Sequence, residues 1–373
     1  MAQKTNKTLR KKPLIDLRYL GALALSVVLA LAVGAVIMLL AGFDPLEAYA
    51  AMLRGVFGAP RHIGDALQYA MVLCLCGLAC VIGSRVGIFN VGGEGQLLLG
   101  GILACQVGVW LDGSPRALVI VCAALAAMAV GGLYALVPGV LKVKVKVNEV
   151  ITTIMLNSIA AYLCSFLAKG PWKNANKNMV AATESLDARY WFGGLIRGST
   201  LSTAIFAAAI IAFLVWYIMQ KTARGFEMKL TGQNPRFARF AGLKTDRLII
   251  ACMTVSGMLC GLVGMFRVYG AEHIYRDSIS RDYYFEGLMV AMIAQYRPLP
   301  VIGLSLLFAV LKIGADEMQA IGVPTQIYQI IQTVVIFFMA AETGISAMLR
   351  ARAQKKRAHR AAEERMKGGV DRA

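Results

Sequence analysis

The chain has 373 residues, of which 58% are hydrophobic and only 16% charged, and its mean hydropathy is +0.62. Water-soluble domains carry about 25% charged residues, so this composition excludes an ordinary soluble protein and indicates a chain that lies in lipid. The net charge of +18 does not indicate nucleic-acid binding, because the basic residues cluster at the termini and in loops beside apolar runs.

Apolar runs of sufficient length predict an all-α fold, a polytopic transmembrane helical bundle of about ten spans. The first run follows basic residues but is longer than the apolar core of a cleaved signal peptide, so we expect it to remain as a span. The predicted spans are 19–43, 67–83, 87–111, 117–141, 150–168, 199–219, 248–268, 285–297, 299–314 and 326–346.

The distribution of Lys and Arg predicts that both termini lie in the cytoplasm (N-in/C-in), because cytoplasmic loops of membrane proteins are enriched in these residues. A basic N-terminus (1–18) and a basic tail (347–373) then flank a membrane domain at 19–346. Within that domain we expect a cytoplasmic loop at 220–247 and a long outer loop at 169–198.

Prolines interrupt the segment 285–314, which is either two short spans or one broken helix. Only an even number of spans keeps the basic tail inside the cell, so two short spans are favoured. The aromatic residues of the outer loop, Trp172, Tyr190 and Trp191, are either anchors at the membrane interface or a docking surface for an external protein.

Cysteine and histidine residues predict neither a metal site nor a disulfide framework. Every cysteine lies inside an apolar run, where it behaves as a small hydrophobic residue, and no CxxC pair occurs. The three histidines, His62, His273 and His359, are far apart along the chain.

A first polar motif, Arg85 to Gln96, opens the third predicted span. It places Asn90, Glu94 and Gln96 among four glycines, which let backbones approach closely or a helix unwind. A carboxylate in hydrocarbon is costly unless it is paired or lines a cavity. The motif therefore either faces a solute pathway or forms a tight helix contact in which a neighbour satisfies Glu94.

A second motif places Glu149, Thr153 and Asn157 at positions i, i+4 and i+8 of one predicted helix. The resulting polar stripe either faces the pathway or bonds to another helix. Glu149 lies near the cytoplasmic end of its span, so pairing with Lys144 or Lys146 is an alternative role.

A third motif, in the 220–247 loop, predicts a short helix with Asn234 as its N-cap, Pro235 in its first turn and Gly242 at its end. So short a helix is unstable alone and must dock on this chain's own helices, on lipid headgroups or in the groove of a partner. The residues predicted to carry that contact are Gly232, Asn234, Arg236, Phe237, Ala238, Phe240, Ala241 and Gly242.

A fourth motif runs from Tyr284 to Gln295, where Glu286 and Gly287 open an apolar helix. This step resembles the first motif, and it suggests an internal repeat of two halves, a common plan in transporters.

Two of these motifs, Gly87-Ile-Phe-Asn90-Val-Gly-Gly-Glu94-Gly95-Gln96 and Gly232-x-Asn234-x-x-x-Ala238-x-x-x-Gly242, resemble signatures of one family. It is the branched-chain amino acid/simple-sugar class of ABC-transporter permeases. The segment from Asn148 to Asn157 looks most like the larger permease subunit of nucleoside importers, and the resemblance covers roughly residues 20–345.

The resemblance implies a multi-pass permease subunit of the bacterial plasma (inner) membrane, in contact with lipid, that forms the pathway of an ATP-driven importer for nucleosides or related sugars. It implies three partners: cytoplasmic ATP-binding subunits, a second homologous permease or a second copy of this chain, and an external substrate-binding lipoprotein or periplasmic protein. Pathway residues are then expected to be Asn90, Glu94, Gln96, Thr153, Asn157 and Glu286.

The chain itself is expected to be no enzyme and to bind no cofactor, because it contains no GxxxxGK[ST] phosphate loop. ATP and Mg²⁺ would be used by the partner ATPase. The alternative function is an ion-gradient-driven secondary transporter of a small polar solute, which needs intramembrane ionisable residues. Only Glu94 and Glu286 are well placed for that role, and no Asp or His stands beside them.

Overall fold

The computed structural model describes residues 17–174, 182–277, 279–280, 282–320, 322–324, 326–327 and 329–338. Most of the predicted basic N-terminus, all of the tail at 347–373 and the end of the predicted span 326–346 lie outside these residues. The chain divides into two compact units, one of Met1–Ala48 with Gly322–Ala373 and one of Tyr49–Ile321.

Every regular element among the described residues is a helix, and the loops contain only isolated β-bridges, so the prediction of an all-α protein is confirmed. The helices are α1 (Leu17–Leu40), α2 (Pro45–Phe57), α3 (Pro60–Arg85), α4 (Gly93–Trp110), α5 (Arg116–Val140), α6 (Glu149–Lys169), α7 (Ala204–Lys221), α8 (Ala223–Gln233), α9 (Pro235–Phe240), α10 (Thr245–Arg267), α11 (Tyr283–Ile293), α12 (Pro298–Ala320) and α13 (Gln329–Phe338). Short π-helical turns, Leu141–Val145 and Val268–Glu272, extend α5 and α10.

Six of the helical stretches are long and apolar enough to cross a membrane. They are Pro60–Arg85, Arg116–Lys144, Glu149–Lys169, Ala204–Lys221, Thr245–Glu272 and Pro298–Gln319. The helices α2 and α8 were not predicted from the sequence. In α8, the side chain of Thr222 accepts a hydrogen bond from the backbone N–H of Gly225, a cap that two glycines in the same helix obscure in the sequence.

The core of the Tyr49–Ile321 unit is a seam in which α10 touches α4 on one side and α5 on the other. A Cβ atom on Gly261 of α10 would overlap the carbonyl oxygen of Ala127 in α5, and one on Gly100 of α4 would overlap that of Gly261. A Cβ atom on Gly264 of α10 would likewise overlap the carbonyl oxygen of Leu97 in α4. Glycine is needed at these points because the helix backbones themselves are in contact.

Candidate functional site

The link segment, residues 86–92, joins α3 to α4 without helix. Gly87 has a φ of +83°, and the backbone N–H groups of Gly87 and Ile88 donate to the carbonyl oxygens of Ser84 (3.1 Å) and Gly83 (3.3 Å). This is the Schellman arrangement that ends a helix at a glycine. The span predicted at 87–111 therefore starts too early, because α4 begins only at Gly93.

Asn90 lies at the centre of the link segment and is fully buried. Its amide nitrogen donates to Gln96 Oε1 (2.8 Å) and Ser256 Oγ (2.9 Å), and its amide oxygen accepts from the backbone N–H of Gly92 (3.0 Å) and from Gln96 Nε2 (3.1 Å). Ser256 belongs to α10 and donates in turn to the carbonyl oxygen of Ala79 in α3 (2.7 Å). Asn90 and Gln96 thus direct their polar groups inward and tie the link segment to α10.

The predicted polar stripe of α6 faces the start of α4. Asn157 accepts a hydrogen bond from the backbone N–H of Gly95 (2.9 Å) and donates to the carbonyl oxygen of Val91 (2.9 Å). Thr153 is buried and donates to a carbonyl of its own helix, that of Glu149 (2.7 Å). These contacts hold the first turn of α4 against α6.

Glu149 forms an ion pair, but with a different lysine from those considered in the sequence. Its carboxylate lies 2.7 Å from the ammonium group of Lys142. Pairing with Lys144 or Lys146 was the wrong interpretation, because the π-helical turn Leu141–Val145 continues α5 and the chain reverses only at Lys146, which has a φ of +59°.

Glu94 joins two helix starts. It stands in the first turn of α4 and is almost fully buried, and its carboxylate accepts hydrogen bonds from the hydroxyl of Ser280 and the backbone N–H of Tyr284 (3.1 Å). The hydroxyl of Tyr284 donates to the carbonyl oxygen of Asn90. Because the first N–H groups of a helix have no partner inside it, the Glu94 carboxylate satisfies the N-terminus of α11.

Glu286, in the first turn of α11, is half-buried, and its Oε2 accepts a hydrogen bond from the Tyr69 hydroxyl (2.6 Å). Tyr69 meets the edge of Tyr283, with ring centroids 5.3 Å apart. The guanidinium of Arg267 lies over the Tyr283 ring, 4.9 Å from its centroid, and pairs with Glu272 at 2.6 Å. Sequence reasoning missed Tyr69 and Arg267. The position of Arg267, a charged residue inside the predicted span 248–268, is the signal that could have identified it.

Helices α8 and α9, residues 223–240, are together called the α8–α9 arm. The arm contains the helix predicted in the 220–247 loop, and α9 has the predicted ends. Asn234 Oδ1 accepts from the backbone N–H of Phe237 (3.0 Å), and Pro235 is the first helical residue. Gly242, with a φ of +84°, follows the helix, and the N–H of Leu243 donates to the carbonyl oxygen of Ala238 (3.0 Å). The cap and the glycine stop of this short helix are confirmed.

The side chains of α9 divide between a buried anchor and an exposed aromatic face. Ala238 is fully buried, whereas Phe237 is 55% exposed and Phe240 is 92% exposed. Arg236 and Ala241 are exposed as well. A large apolar side chain that is so open marks a contact surface that the described part of the chain does not cover.

The loop after α6 and the turn after α10 pack together. The rings of Trp191 and His273 stack with centroids 3.8 Å apart, and Arg116 donates to the carbonyl oxygen of Trp191 (2.7 Å). Burial lowers the pKa of His273, because desolvation disfavours the charged imidazolium. Tyr190, predicted to be an interfacial or docking aromatic, is buried. Its hydroxyl donates to the carbonyl oxygen of Ser114 (3.2 Å) and accepts from the backbone N–H of Gly113 (3.0 Å), both in the turn before α5.

The described ranges contain no metal centre, since no group of three His, Cys, Asp or Glu side chains there is arranged to hold a metal ion. An apolar cavity with a volume of about 500 Å³ lies between α3, α7 and α12, where Met71, Phe213 and Leu306 line it. This lining is almost entirely apolar, and the indole N–H of Trp216 is its main hydrogen-bond donor, so it suits a polar solute poorly.

Residues 62–340 match a protein family described as branched-chain amino acid transport system/permease component. The chain is 32% identical to the nucleoside ABC transporter permease protein NupB of Lactococcus lactis, over 92% of this chain and 96% of that protein. It is also 32% identical to the guanosine ABC transporter permease protein NupP of Bacillus subtilis (86% and 93%) and to the glucose ABC transporter permease protein TsgB13 of Haloferax volcanii (86% and 86%).

Proposed function

Because this chain belongs to the branched-chain amino acid transport system/permease component family, we propose that the solute it carries is a nucleoside or a related sugar. The chain is a membrane permease subunit of an ABC importer. The observation that carries the choice of solute is its 32% identity, over most of both chains, to permeases for nucleosides and guanosine. A glucose permease at the same identity keeps sugars within the proposed class.

The solute pathway, in this proposal, passes the point where α4 and α11 begin. Helices that start inside the protein are common at transporter binding sites, and α11 has only 11 residues. Glu286 is the proposed solute contact, because it is half-buried and a carboxylate accepts hydrogen bonds from ribose hydroxyl or base N–H groups. Asn90, Glu94, Gln96, Thr153 and Asn157 shape the pathway by holding the helix starts in place.

The proposed topology has ten spans with both termini in the cytoplasm. The six candidate spans and the shorter apolar helices α1, α11 and α13 account for nine of them. The 18-residue helix α4 is the proposed tenth. A two-half repeat is supported by the Glu-Gly steps, since Gly95 packs against Ala160 of α6 and Gly287 packs against Cys76 of α3. Each Glu-Gly pair thus lies in the first turn of a helix and packs closely against a neighbouring helix.

The proposed assembly places α9 in a groove of a cytoplasmic ATP-binding subunit, which uses ATP and Mg²⁺. A second permease, either a homologue or another copy of this chain, completes the pathway. An external binding protein delivers solute at the surface formed by Trp191 and His273. The proposed location is the bacterial plasma membrane.

Uptake by the complete complex in proteoliposomes tests this function. Labelled guanosine, uridine and glucose are offered with the external binding protein, with ATP on the side of the ATP-binding subunits. We expect nucleoside accumulation that needs ATP hydrolysis and persists when ionophores collapse ion gradients. Accumulation of glucose alone would indicate that the transported solute is a sugar and not a nucleoside. Accumulation by the isolated chain on an ion gradient would contradict the proposal in favour of a secondary transporter.

A further inference from the structure

Gly232, in the last turn of α8, lies directly against the end of α3. A Cβ atom there would overlap the carbonyl oxygen of Arg85 and would lie 3.2 Å from the backbone nitrogen of Gly87. Both obstacles are backbone atoms, which cannot rotate away as a side chain can. The contact is therefore rigid.

The contact is reciprocal and falls at the start of the link segment. A Cβ atom on Gly87 would lie 3.5 Å from the Cα of Gly232 and 3.6 Å from its carbonyl oxygen. Gly87 has a left-handed backbone, and its neighbours Val86 and Ile88 are buried. We therefore expect the link segment to move together with α8 when α8 is displaced.

From Gly87 the link segment leads within three residues to Asn90. The side chain of Asn90 bonds to Ser256 of α10, and its backbone carbonyl accepts the hydroxyl of Tyr284 in α11. A shift at Gly87 consequently reaches the helix starts beside Glu94 without crossing a loosely packed region.

Elsewhere the α8–α9 arm is held by a second backbone contact, by an exposed ion pair and by a face that borders a cavity. A Cβ atom on Gly225 of α8 would overlap the carbonyl oxygens of Ile218 and Met219 in α7. Arg239 of α9 pairs with Asp246 at 2.5 Å, but the two side chains are 62% and 53% exposed, so water and salt screen the pair. Beside Met228 of α8 lies an apolar cavity of about 210 Å³ that also borders α3, α7 and α10. Around Met228, α8 is therefore less closely packed than at Gly232.

We infer that Gly232 and Gly87 are positioning residues that transmit movement of the α8–α9 arm to the link segment, and through Asn90 to the solute pathway. This inference rests on the proposed function, in which ATP-binding subunits move the arm. The inference identifies the link segment as the element that receives the movement, and the contact between Gly232 and Gly87 as the point where it is received.

The test is the amount of solute moved per ATP hydrolysed by the complete complex carrying Gly232→Ala. The added methyl group forces α8 away from Arg85, so we expect uptake to fall by about tenfold while hydrolysis stays near that of the unaltered complex. The matched control is Gln233→Ala at the adjacent, exposed position of α8, which should leave the ratio unchanged.

An unchanged ratio in Gly232→Ala would overturn the inference. A parallel fall of uptake, hydrolysis and ATPase binding would also overturn it, because that pattern indicates a purely structural contact. Lack of ATP-dependent uptake in the unaltered complex would instead contradict the proposed function.

A distance measurement keeps the inference testable if Gly232→Ala does not fold. Spin labels at Phe89→Cys and Gln233→Cys, both at exposed side chains, report on the link segment and on α8. We expect their separation to stay constant between the nucleotide-free and ATP-bound complex, while both move relative to a label at the exposed Tyr162 of α6. A change in the Phe89–Gln233 separation would show that the two elements move independently.

Discussion

The seam between α10, α4 and α5 and the short helix α9 use small residues and apolar surface in opposite ways. In the seam, glycines such as Gly261 bring backbones into contact and leave no gap between the helices. In α9, only Ala238 is buried, while Phe237 and Phe240 are largely exposed. The chain itself closes the seam, whereas the described residues leave the aromatic face of α9 uncovered, and that face is the proposed contact with an ATP-binding subunit.

Gly261→Leu should have the largest effect, because its side chain would enter the backbone of α5. Overpacking costs about 1–3 kcal/mol even in cores that adjust, and contact between backbones leaves no room to adjust. We expect loss of monodisperse permease on size-exclusion chromatography in detergent. Gly303→Leu is the matched control, since no atom lies within 4 Å of a Cβ there, and equal loss in both variants would contradict the distinct role of the seam.

Phe240→Glu should leave folding intact but reduce ATP-driven uptake by roughly tenfold or more, because a charge replaces an apolar contact with the partner. Uptake and co-purification of the ATP-binding subunit measure the effect. Phe226→Glu, at a phenylalanine of α8 that is 65% exposed, is the comparison variant. Similar losses in both would show that exposed phenylalanine in general, and not the α9 face, is required.

Glu286→Gln and Glu94→Gln should separate solute contact from helix support. A hydrogen bond to a charged group contributes about 1.5–3 kcal/mol, so loss of the Glu286 charge should raise the KM for nucleoside by roughly tenfold. Glu94→Gln should lower thermal stability and leave KM near that of the unaltered protein, because Glu94 bonds to Ser280 and Tyr284. The reverse pattern would assign the solute contact to Glu94.

Asp246→Asn should have the smallest effect. Its ion pair with Arg239 is exposed and screened by salt, so uptake is expected to stay within about twofold of the unaltered complex. Uptake measured at low and high ionic strength checks this expectation. A loss comparable to that of Phe240→Glu would show that this ion pair, and not the apolar face, sets the position of α9.

Local signals made the exposed region easier to predict than the buried one. Asn234, Pro235 and Gly242 are a cap, a first-turn residue and a stop within one short stretch, so α9 could be read directly from the sequence. The start of α4 could not be predicted in this way, because the residues that hold it are far away along the chain. Ser256 bonds to Asn90, and Tyr284 bonds to Glu94.

Long-range contacts also explain which site residues were missed. Tyr69 reaches Glu286 across 217 positions of sequence, and nothing near Tyr69 indicates a polar partner. The choice of lysine for Glu149 depended on where α5 ends, which a π-helical turn decides. The matching Glu-Gly steps suggested an internal repeat, but the two glutamates have different partners. Glu94 bonds to Ser280 and Tyr284, whereas Glu286 bonds to Tyr69.

The most direct test of the open face of α9 is the thiol reactivity of Phe240→Cys toward a membrane-impermeant maleimide. Reactivity is measured in the isolated permease and in the complex with its ATP-binding subunits. We predict rapid labelling of the isolated chain and strong protection in the complex. Equal labelling in both would contradict the claim that this face receives the motor subunit.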